Sequence, residues 1–286
     1  MQIREYKPEK ILSETVLNFS KYVINPYRGC QFGCLYCYAK SFKAIQKRLK
    51  NNFSYGEFVD VKINAVELLE KELKEKKIES VILGASTEVY QPIEEKYCLT
   101  QKIISLLNQY DVKIFLLTKS DLICRDLSLL KPDKTIIFFT INSTNDTVFS
   151  VFENNSPSYQ KRLNALQKLF EAKIKVVLHI GPVLPFLSDY ERIIIETMQY
   201  VYSYEFENLN LNSINKELFL EKIKLNFSQY YDYYLDFFYK VDVYKTYLTD
   251  LEKNLKKIFE NNKKRYYTFF HPVDDFFNNK LYPDGK

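Results

Sequence analysis

The stretch Asn25-Pro-Tyr-Arg-Gly-Cys-Gln-Phe-Gly-Cys-Leu-Tyr-Cys-Tyr-Ala-Lys40 decides the fold, because it places Cys30, Cys34 and Cys37 within eight residues of chain. A 4Fe–4S cluster has four irons and normally binds four cysteines. A loop with three cysteines therefore leaves one iron open to a small molecule. The C-x3-C-x2-C spacing predicts such a cluster, with these three cysteines as its ligands.

A structural zinc site and a disulfide framework are the alternatives to a cluster. A structural zinc ion takes four nitrogen or sulfur ligands, and no fourth ligand lies near the loop, because Cys98, Cys124, His179 and His271 are far along the chain. Five cysteines in a chain without a secretory leader do not indicate disulfides. A zinc site or a chance grouping of thiols remains the alternative to the cluster.

Length and composition favour one domain with a large core, since the chain has 286 residues and is 46% hydrophobic. No charged-then-apolar leader and no apolar run of bilayer length is visible. We therefore expect a soluble, cytoplasmic protein without a membrane partner. The net charge of +5 permits a polyanionic partner but is weak evidence for nucleic acid.

Apolar runs typical of strands alternate six times with helical stretches, which is the pattern of βα units around a parallel sheet. Ser158 and Asp189 are predicted N-caps of two of the helices. The predicted strands are Tyr22–Ile24, Ser80–Gly84, Lys113–Thr118, Thr135–Ile141, Lys175–Pro182 and Glu207–Leu211. The predicted helices are Lys40–Lys50, Ala65–Lys76, Leu99–Asn108, Leu122–Leu130, Ser158–Ala172 and Asp189–Tyr202.

The cysteine loop resembles that of the radical S-adenosylmethionine (radical SAM) superfamily. In that superfamily the open iron chelates SAM, and reductive cleavage of SAM gives a 5′-deoxyadenosyl radical that abstracts hydrogen from a substrate. The resemblance implies an α/β fold, a partial (β/α)6 TIM-type barrel with chemistry at the carboxyl ends of the strands. It also implies a 4Fe–4S cluster and SAM as cofactors, and a reductant such as flavodoxin or ferredoxin as a partner.

Several further segments resemble the spore photoproduct lyase-like branch, which is often labelled DNA repair photolyase. This resemblance implies a lyase-like enzyme with a nucleic acid or a nucleotide as the substrate. Modification of a peptide or a small metabolite is the alternative, and a non-catalytic cluster-binding protein is another. The segments are Asn25–Cys30, Leu83–Glu94, Leu117–Ser120, Asn155–Ser158 with Arg162-Leu163, and Gly181–Asp189.

By this resemblance, five residues at strand ends are predicted to bind SAM: Gly84, Ala85, Ser86, Thr118 and Lys119. The ammonium group of Lys119 is expected to pair with the SAM carboxylate. A solvated surface charge is the alternative role for this lysine.

Tyr36 and Tyr38 match positions of lyase tyrosines implicated in radical return, and we predict catalytic roles for both. Shielding of the cluster is the alternative role. One departure from the lyase is that Ala85 stands at the position of its hydrogen-donating cysteine, with Glu88 at the position of an aspartate. The resemblance therefore supports the cofactors more firmly than a thymine-dimer substrate.

Other polar residues have competing interpretations. Glu153 and Arg162 could reach SAM, but a helix-surface ion pair is preferred for each. His179, in the apolar run Val176–Ile180, is expected to be a hydrogen-bonded core or barrel-lining histidine, with acid–base chemistry as the second role. Tyr90, Gln91 and Glu94 could touch SAM or substrate, or could belong to an ordinary turn.

The chain after Leu211 shows no further strand pattern. Large apolar residues recur at helical spacing from Phe227 to Ile258, which predicts one long amphipathic helix or two in tandem. We expect this aromatic stripe to pack against the open side of the barrel, and base stacking is its alternative role. The predicted division is therefore a barrel over residues 1–215 and a helical C-terminal extension over residues 216–286.

Overall fold

The computed structural model describes residues 1–15, 17, 19–50, 54–260, 262 and 264–277. Its β-strands are β1 (Gln2–Tyr6), β2 (Leu12–Glu14), β3 (Tyr22–Ile24), β4 (Tyr27–Arg28), β5 (Phe58–Lys62), β6 (Ser80–Leu83), β7 (Lys113–Thr118), β8 (Thr135–Thr140), β9 (Lys175–Val183), β10 (Ser203–Asn208) and β11 (Arg265–Phe269). The α-helices are α1 (Lys43–Leu49), α2 (Ala65–Glu75), α3 (Glu94–Tyr97), α4 (Leu99–Leu107), α5 (Asp146–Phe152), α6 (Tyr159–Glu171), α7 (Tyr190–Thr197), α8 (Lys216–Asn226), α9 (Tyr231–Tyr239), α10 (Val241–Glu260) and α11 (Val273–Phe277). Short 3-10 helices cover Tyr38–Ser41, Asp121–Leu129 and Ser228–Tyr230.

The main sheet has the strand order β11-β10-β9-β8-β7-β6-β3-β2. From β3 to β11 all neighbouring strands pair in parallel, and β2 pairs antiparallel with β3. Parallel pairs need crossover connections, and α-helices supply most of them here. A second sheet, in the order β1-β5-β4, holds the strand that leads directly into the cysteine loop.

The predicted α/β fold is confirmed as a mostly parallel sheet with helices. Five of the six predicted strands coincide with β3 and β6–β9 to within one or two residues. The sixth strand lies earlier than predicted, at Ser203–Asn208. Its start was not recognised, because the Glu-Phe-Glu alternation interrupts the apolar run.

The prediction that no strand follows Leu211 is wrong, because β11 pairs in parallel with β10. Its sequence, Arg-Tyr-Tyr-Thr-Phe, is largely exposed and lacks the apolar run that marks the buried strands. The division of the chain at residue 215 remains a prediction, and β11 joins the C-terminal segment to the main sheet.

The predicted helices are present, with changes at their ends. Ser158 caps α6 as predicted, since its hydroxyl accepts a hydrogen bond from the Lys161 amide. Asp189 precedes α7 without capping it and instead accepts the Thr144 amide hydrogen at 2.7 Å. The segment Leu122–Leu130 is mainly 3-10 helix, and α7 ends at Thr197 rather than Tyr202.

Two helices in tandem, α9 and α10, account for the aromatic stripe after Phe227. Phe219 of α8 and Phe237 of α9 are buried in one apolar cluster with Phe32 and Tyr36 of the cysteine loop. The stripe is therefore a packing surface, and it belongs to the same apolar cluster as the loop. Among the described residues, no helix is both long enough and apolar enough to span a membrane.

Asn208, at the end of β10, connects the C-terminal segment to the sheet. Its Nδ2 donates to the Tyr244 hydroxyl at 2.7 Å, and its Oδ1 accepts the His271 amide at 2.8 Å. The Asn208 side chain is buried. Both hydrogen bonds therefore provide partners for polar groups that are shielded from water.

Asn208→Ala should lower the free energy of unfolding by about 1–3 kcal/mol, because it leaves buried polar groups without partners. Urea unfolding of the metal-free protein measures this change. Asn164→Ala, on an exposed position of α6, is the control and should change stability by less than about 0.5 kcal/mol. Equal effects of the two substitutions would contradict the role given to Asn208.

Candidate functional site

The cysteine loop begins with a glycine that cannot be replaced without strain. Gly29 has a φ of +84°, and a Cβ atom there would lie 2.4 Å from the Phe58 carbonyl oxygen. An L-residue rarely adopts such a φ, and no side chain tolerates such a contact. The loop therefore turns away from β4 directly against the backbone of β5.

Side chains from the segment after β6 hold the loop in place. The Thr87 hydroxyl donates to the Gly29 carbonyl at 2.6 Å. The Gln31 amide donates to Gln91 Oε1 at 2.9 Å, and the Ile93 amide donates to Gln31 Oε1 at 2.6 Å. The sequence suggested Gln91 as a contact of SAM or substrate, and in the structure Gln91 supports the loop.

The three predicted metal ligands are free thiols in a protected position. Cys30 and Cys34 are buried and Cys37 is half-buried. Burial raises the pKa of the Cys30 thiol, and the neighbouring Cys34 and Cys37 raise it further. Burial also raises the pKa of Cys34, to about 12, against the opposing effect of the Lys119 ammonium. The thiols of Cys30 and Cys34 therefore keep their protons unless a cation replaces them.

This donor set fits an iron–sulfur cluster. Thiolates are the ligands that such clusters take from proteins. Within the described part of the chain, no three His, Cys, Asp or Glu side chains are grouped to hold a single metal ion. A cluster does not need three side chains around one metal ion, because each cysteine binds a separate iron.

Glu88 organises the strand ends where SAM-binding residues were predicted. Its carboxylate accepts hydrogen bonds from the Thr118 hydroxyl at 2.6 Å, the Lys119 amide at 3.0 Å and the Tyr90 amide at 2.9 Å. Burial raises the pKa of Glu88, although these hydrogen bonds oppose the shift. Glu88 thereby fixes the backbone at the end of β7 relative to the segment after β6.

Lys119 points from the end of β7 toward the cysteine loop. Its Nζ lies 3.8 Å from Cys34 Sγ and 2.8 Å from Glu153 Oε1. Its side chain is 16% exposed, so the alternative role as a solvated surface charge does not describe it. The structure thus brings the predicted SAM-binding lysine and a predicted metal ligand together.

Glu153 and Arg162 form an ion pair, but its expected position on a helix surface is wrong, because both side chains are fully buried. The guanidinium group of Arg162 donates to Glu153, and Ser156 Oγ donates to the same carboxylate oxygen at 2.9 Å. A buried carboxylate needs such partners. Glu153 therefore lies between two cations, Arg162 and Lys119.

Tyr36 and Tyr38 lie on opposite sides of Cys37 and have different surroundings. The Tyr36 side chain is buried, and its hydroxyl accepts a hydrogen bond from Asn142 Nδ2 at 2.9 Å. Tyr38 is 42% exposed, and its hydroxyl donates to the Ala85 carbonyl. The surrounding protein and the charges of Cys37 and Glu207 raise the pKa of the Tyr38 phenol.

The remaining predicted SAM contacts lie beside these tyrosines. Gly84 has a φ of +97°, and a Cβ there would lie 2.8 Å from the Leu117 carbonyl oxygen. The Ser86 amide donates to Asn25 Oδ1 at 3.1 Å. Asn142, just beyond β8, was not singled out from the sequence. Its Oδ1 is buried without a hydrogen-bond partner among the described residues, so a bound donor would satisfy it.

Glu94 and the two cysteines outside the loop lie elsewhere. Glu94 is buried and bonds to Arg125 Nη2 at 2.8 Å and to the Thr100 amide at 3.0 Å. Cys98 lies between α3 and α4, and Cys124 lies in the 3-10 helix at Asp121–Leu129. None of these groups extends from a strand end toward the cysteine loop.

A second polar group, which we call the His–Glu cluster, consists of His179, Glu205, Glu207 and His271. His179 Nδ1 lies 2.9 Å from Glu205 Oε2, and its Nε2 lies 3.2 Å from Glu207 Oε2. Glu207 Oε1 lies 2.9 Å from His271 Nε2. The prediction of a hydrogen-bonded histidine at position 179 is confirmed. Its partners Glu205 and Glu207 were missed, because they lie on β10, and His271 joins the cluster from beyond β11.

The ring of His179 lies over Gly181. A Cβ at Gly181 would be 2.1 Å from His179 Nε2. Burial alone would lower the pKa of His179, but the hydrogen bonds to Glu205 and Glu207 outweigh it and raise the pKa to about 9. Burial alone would raise the pKa of Glu207, but hydrogen bonds from His179 and His271 lower it to about 2.

Comparisons with known proteins bear on this arrangement. The family model of the radical SAM superfamily matches residues 24–198. An uncharacterized protein of Methanocaldococcus jannaschii is 32% identical over 259 residues, which cover 90% of this chain and 94% of that protein. An uncharacterized protein of Mycobacterium tuberculosis (strain H37Rv) is 29% identical over 63% of this chain and 54% of its own length. This chain therefore matches about half of the mycobacterial relative.

Solved structures of spore photoproduct lyase share the fold. The lyase complexed with dinucleoside spore photoproduct superposes with a TM-score of 0.64 and 16% identity, covering 94% of this chain and 82% of the lyase. A double mutant of the lyase with bound AdoMet and dinucleoside spore photoproduct has a TM-score of 0.63 and 17% identity. At these identities the likeness shows the fold alone.

The His–Glu cluster predicts a pH-dependent stability. The folded state raises the pKa of His179 from 6.5 to about 9. The stability that the protonated His179 contributes is therefore complete below pH 6.5 and is lost as the pH rises through 9. Its size is on the order of 2–3 kcal/mol. Urea unfolding at pH 6 and pH 10 should show wild type losing that much more stability than His179→Gln. Parallel losses in the two proteins would contradict the prediction.

Proposed function

Because the chain belongs to the radical SAM superfamily of enzymes, we propose that it holds a 4Fe–4S cluster through Cys30, Cys34 and Cys37 and binds SAM at the adjoining strand ends. The observation that supports this most is the grouping of three free, protected thiols with the Lys119 ammonium at the carboxyl ends of parallel strands. We also propose that the parallel strands form the partial (β/α)6 barrel expected for this family.

When bound, the cluster and SAM supply an electron and a cleavable sulfonium, which together permit hydrogen abstraction from a substrate. The protein supplies position. Gly29 permits the loop turn, and Thr87 and Gln91 hold the loop against the segment after β6. This arrangement keeps the loop fixed relative to the SAM-binding strand ends.

Lys119 is the proposed partner of the SAM carboxylate. Its ammonium has three donors, and the described contacts engage it with Glu153 and, more weakly, with Cys34. Glu153, itself paired with Arg162, holds the ammonium near the loop. Gly84, Ala85, Ser86 and Thr118 complete the proposed SAM site with backbone and hydroxyl groups.

Tyr36 and Tyr38 are the proposed catalytic side chains. The Tyr36 hydroxyl is fixed by Asn142, and the Tyr38 hydroxyl is fixed by the Ala85 carbonyl. Both phenols are therefore positioned between the cysteine loop and the strand ends. This position suits transfer of a hydrogen atom or shielding of the cofactor.

A nucleic acid or a nucleotide is the substrate class that we propose, with flavodoxin or ferredoxin as the reductant and the cytoplasm as the location. The structural likeness to a lyase that is complexed with a dinucleoside photoproduct supports this class, and the net charge of +5 is compatible with it. Salt-dependent binding to oligonucleotides would support a nucleic-acid substrate over a small metabolite.

Ala85 favours a second candidate, the modification of a substrate other than spore photoproduct. It stands where the spore photoproduct lyases have a hydrogen-donating cysteine, and neither Cys98 nor Cys124 lies at a strand end to replace that thiol. A substrate radical left after bond cleavage would then lack a neighbouring S–H group. Product analysis with dinucleoside spore photoproduct separates the two candidates, because clean repair at multiple turnover excludes the second.

Cys34→Ala should abolish assembly of the cluster, because three thiolates are needed to hold it. The reconstituted wild type should contain about four irons and four sulfides per chain and should release 5′-deoxyadenosine from SAM after reduction with dithionite. Iron and sulfide analysis, electron paramagnetic resonance and product chromatography measure these outcomes.

Cys98→Ala and Cys124→Ala are matched controls, since they remove thiols outside the loop. Both should keep a full complement of iron and sulfide. Retention of a complete cluster by Cys34→Ala would overturn the ligand assignment. A reduced, cluster-loaded wild type that forms no 5′-deoxyadenosine would overturn the proposed chemistry.

Lys119→Ala should weaken SAM binding by about ten- to a hundredfold, because a charge-assisted hydrogen bond contributes roughly 1.5–3 kcal/mol. Equilibrium dialysis of SAM with the anaerobic, cluster-loaded protein measures the affinity. Lys113→Ala removes an exposed lysine from the start of the same strand and is the control. If the two variants bind SAM equally well, Lys119 does not belong to the site.

A further inference from the structure

The inner face of the sheet at its β11 edge combines carboxylates with aromatic rings. The strand register places Glu205 beside His179 on one side and beside Tyr267 on the other. It also places Glu207 beside Phe269. Since paired residues in neighbouring strands point to the same side, these five side chains share one face, which we call the β9–β11 face.

The aromatic rings of this face are not part of the core. Tyr267 is 53% exposed and Phe269 is 55% exposed, whereas Tyr266 and Phe270 pack against the large apolar cluster. Large exposed apolar groups that lie side by side indicate a binding surface. Positions two apart on a strand are about 6.6 Å apart, or about twice the ~3.4 Å spacing of stacked bases. The rings therefore suit a planar heterocycle.

The polar part of the face presents one available acceptor. Both oxygens of Glu207 are engaged, one by His179 and the other by His271. Glu205 uses Oε2 for His179 at 2.9 Å, and its Oε1 has no hydrogen-bond partner among the described residues. The Glu205 side chain is 27% exposed. A ligand on this face can thus donate a hydrogen bond to Glu205 while His179 holds the carboxylate in place.

The charge of the face selects a neutral donor. Glu205 and Glu207 are two carboxylates on either side of His179, so a phosphate gains nothing by approaching them. The imidazole lies between both carboxylates and balances part of their charge, which lowers the attraction for a cation. A neutral N–H group next to a planar ring fits both the acceptor and the aromatic side chains.

We propose that the β9–β11 face binds an unpaired nucleobase, with Tyr267 and Phe269 stacking on the ring and Glu205 accepting a hydrogen bond from an N–H at its edge. Carboxylates accept hydrogen bonds from N–H groups at base edges, and aromatic side chains stack on unpaired bases, in proteins generally. The proposal rests on the nucleic-acid substrate proposed above and names the groups that recognise it. Besides the surrounding protein, the charges of Cys37 and Glu207 both raise the pKa of Tyr38, so this tyrosine lies near the cysteine loop and near this face.

The probe is a fluorescently labelled tetrathymidylate, compared with the same oligomer built from N3-methylthymidine. Methylation removes the N–H donor and keeps the ring and the phosphates. Fluorescence anisotropy with the cluster-loaded protein measures both affinities in wild type, Glu205→Ala, Glu205→Gln and the double variant Tyr267→Ala/Phe269→Ala. Tyr202→Ala removes an exposed tyrosine outside this face and is the control.

Wild type should bind the methylated oligomer about tenfold or more weakly than tetrathymidylate. Glu205→Ala should bind both oligomers equally, and Glu205→Gln, which keeps an acceptor of the same size, should keep part of the discrimination. The double aromatic variant should bind both oligomers about ten- to a hundredfold more weakly. Tyr202→Ala should match wild type.

Three results would overturn the proposal: no binding of tetrathymidylate by wild type, equal binding of the two oligomers by wild type, or full discrimination by a folded Glu205→Ala protein. Thermal unfolding of each variant shows that it is folded, and Glu205→Leu, which removes the acceptor and keeps the bulk, replaces Glu205→Ala if the latter is not. Release of 5′-deoxyadenosine by wild type without oligomer is measured in parallel. A failure of base recognition is therefore distinguishable from a failure of the proposed radical SAM chemistry.

Discussion

The hydrogen bonds between the cysteine loop and the segment after β6 are the constraint on which the site depends. The loop has little regular structure, so its shape comes from Thr87 at the Gly29 carbonyl and from the contact between Gln31 and Gln91. These contacts tie three thiols to the strand ends of the main sheet. Without them the thiols would be free to separate from one another and from the Lys119 ammonium, which Glu153 holds in place. The loop also belongs to the apolar cluster that includes residues of α8 and α9, and this burial adds to the same restraint.

Much of the fold follows from local sequence, and the parts that do not have a common cause. Strands β6–β9 are predicted because they consist of largely continuous apolar runs, with one face buried and the other at least half-buried over most of their length. By contrast, β10 and β11 alternate apolar with polar or exposed residues, which resembles a loop or a helix end when it is read alone. What identifies them as strands is pairing with a neighbour that lies far away in sequence. Local periodicity does not contain that information.

The candidate site shows the same limit. The cysteines can be predicted because their spacing is local. Lys119 can be predicted because it follows a strand, in a segment that resembles the spore photoproduct lyase-like branch. The burial of Glu153 with Arg162 and the pairing of His179 with Glu205 depend on distant elements. A carboxylate in a sequence gives no sign of whether its counter-charge lies nearby, so surface placement is the natural default. The structure replaces that default with two hydrogen-bonded networks.

The contact between His179 and Gly181 makes the two positions mutationally coupled. Gly181 lies outside the left-handed region, and its need for glycine comes from the imidazole ring that occupies the space of a Cβ. Alanine at position 181 would therefore be harmful beside histidine and acceptable beside a smaller residue at position 179. The imidazole could make room for a Cβ only by moving away from Glu205 and Glu207. The two residues thus form an epistatic pair that one steric overlap links.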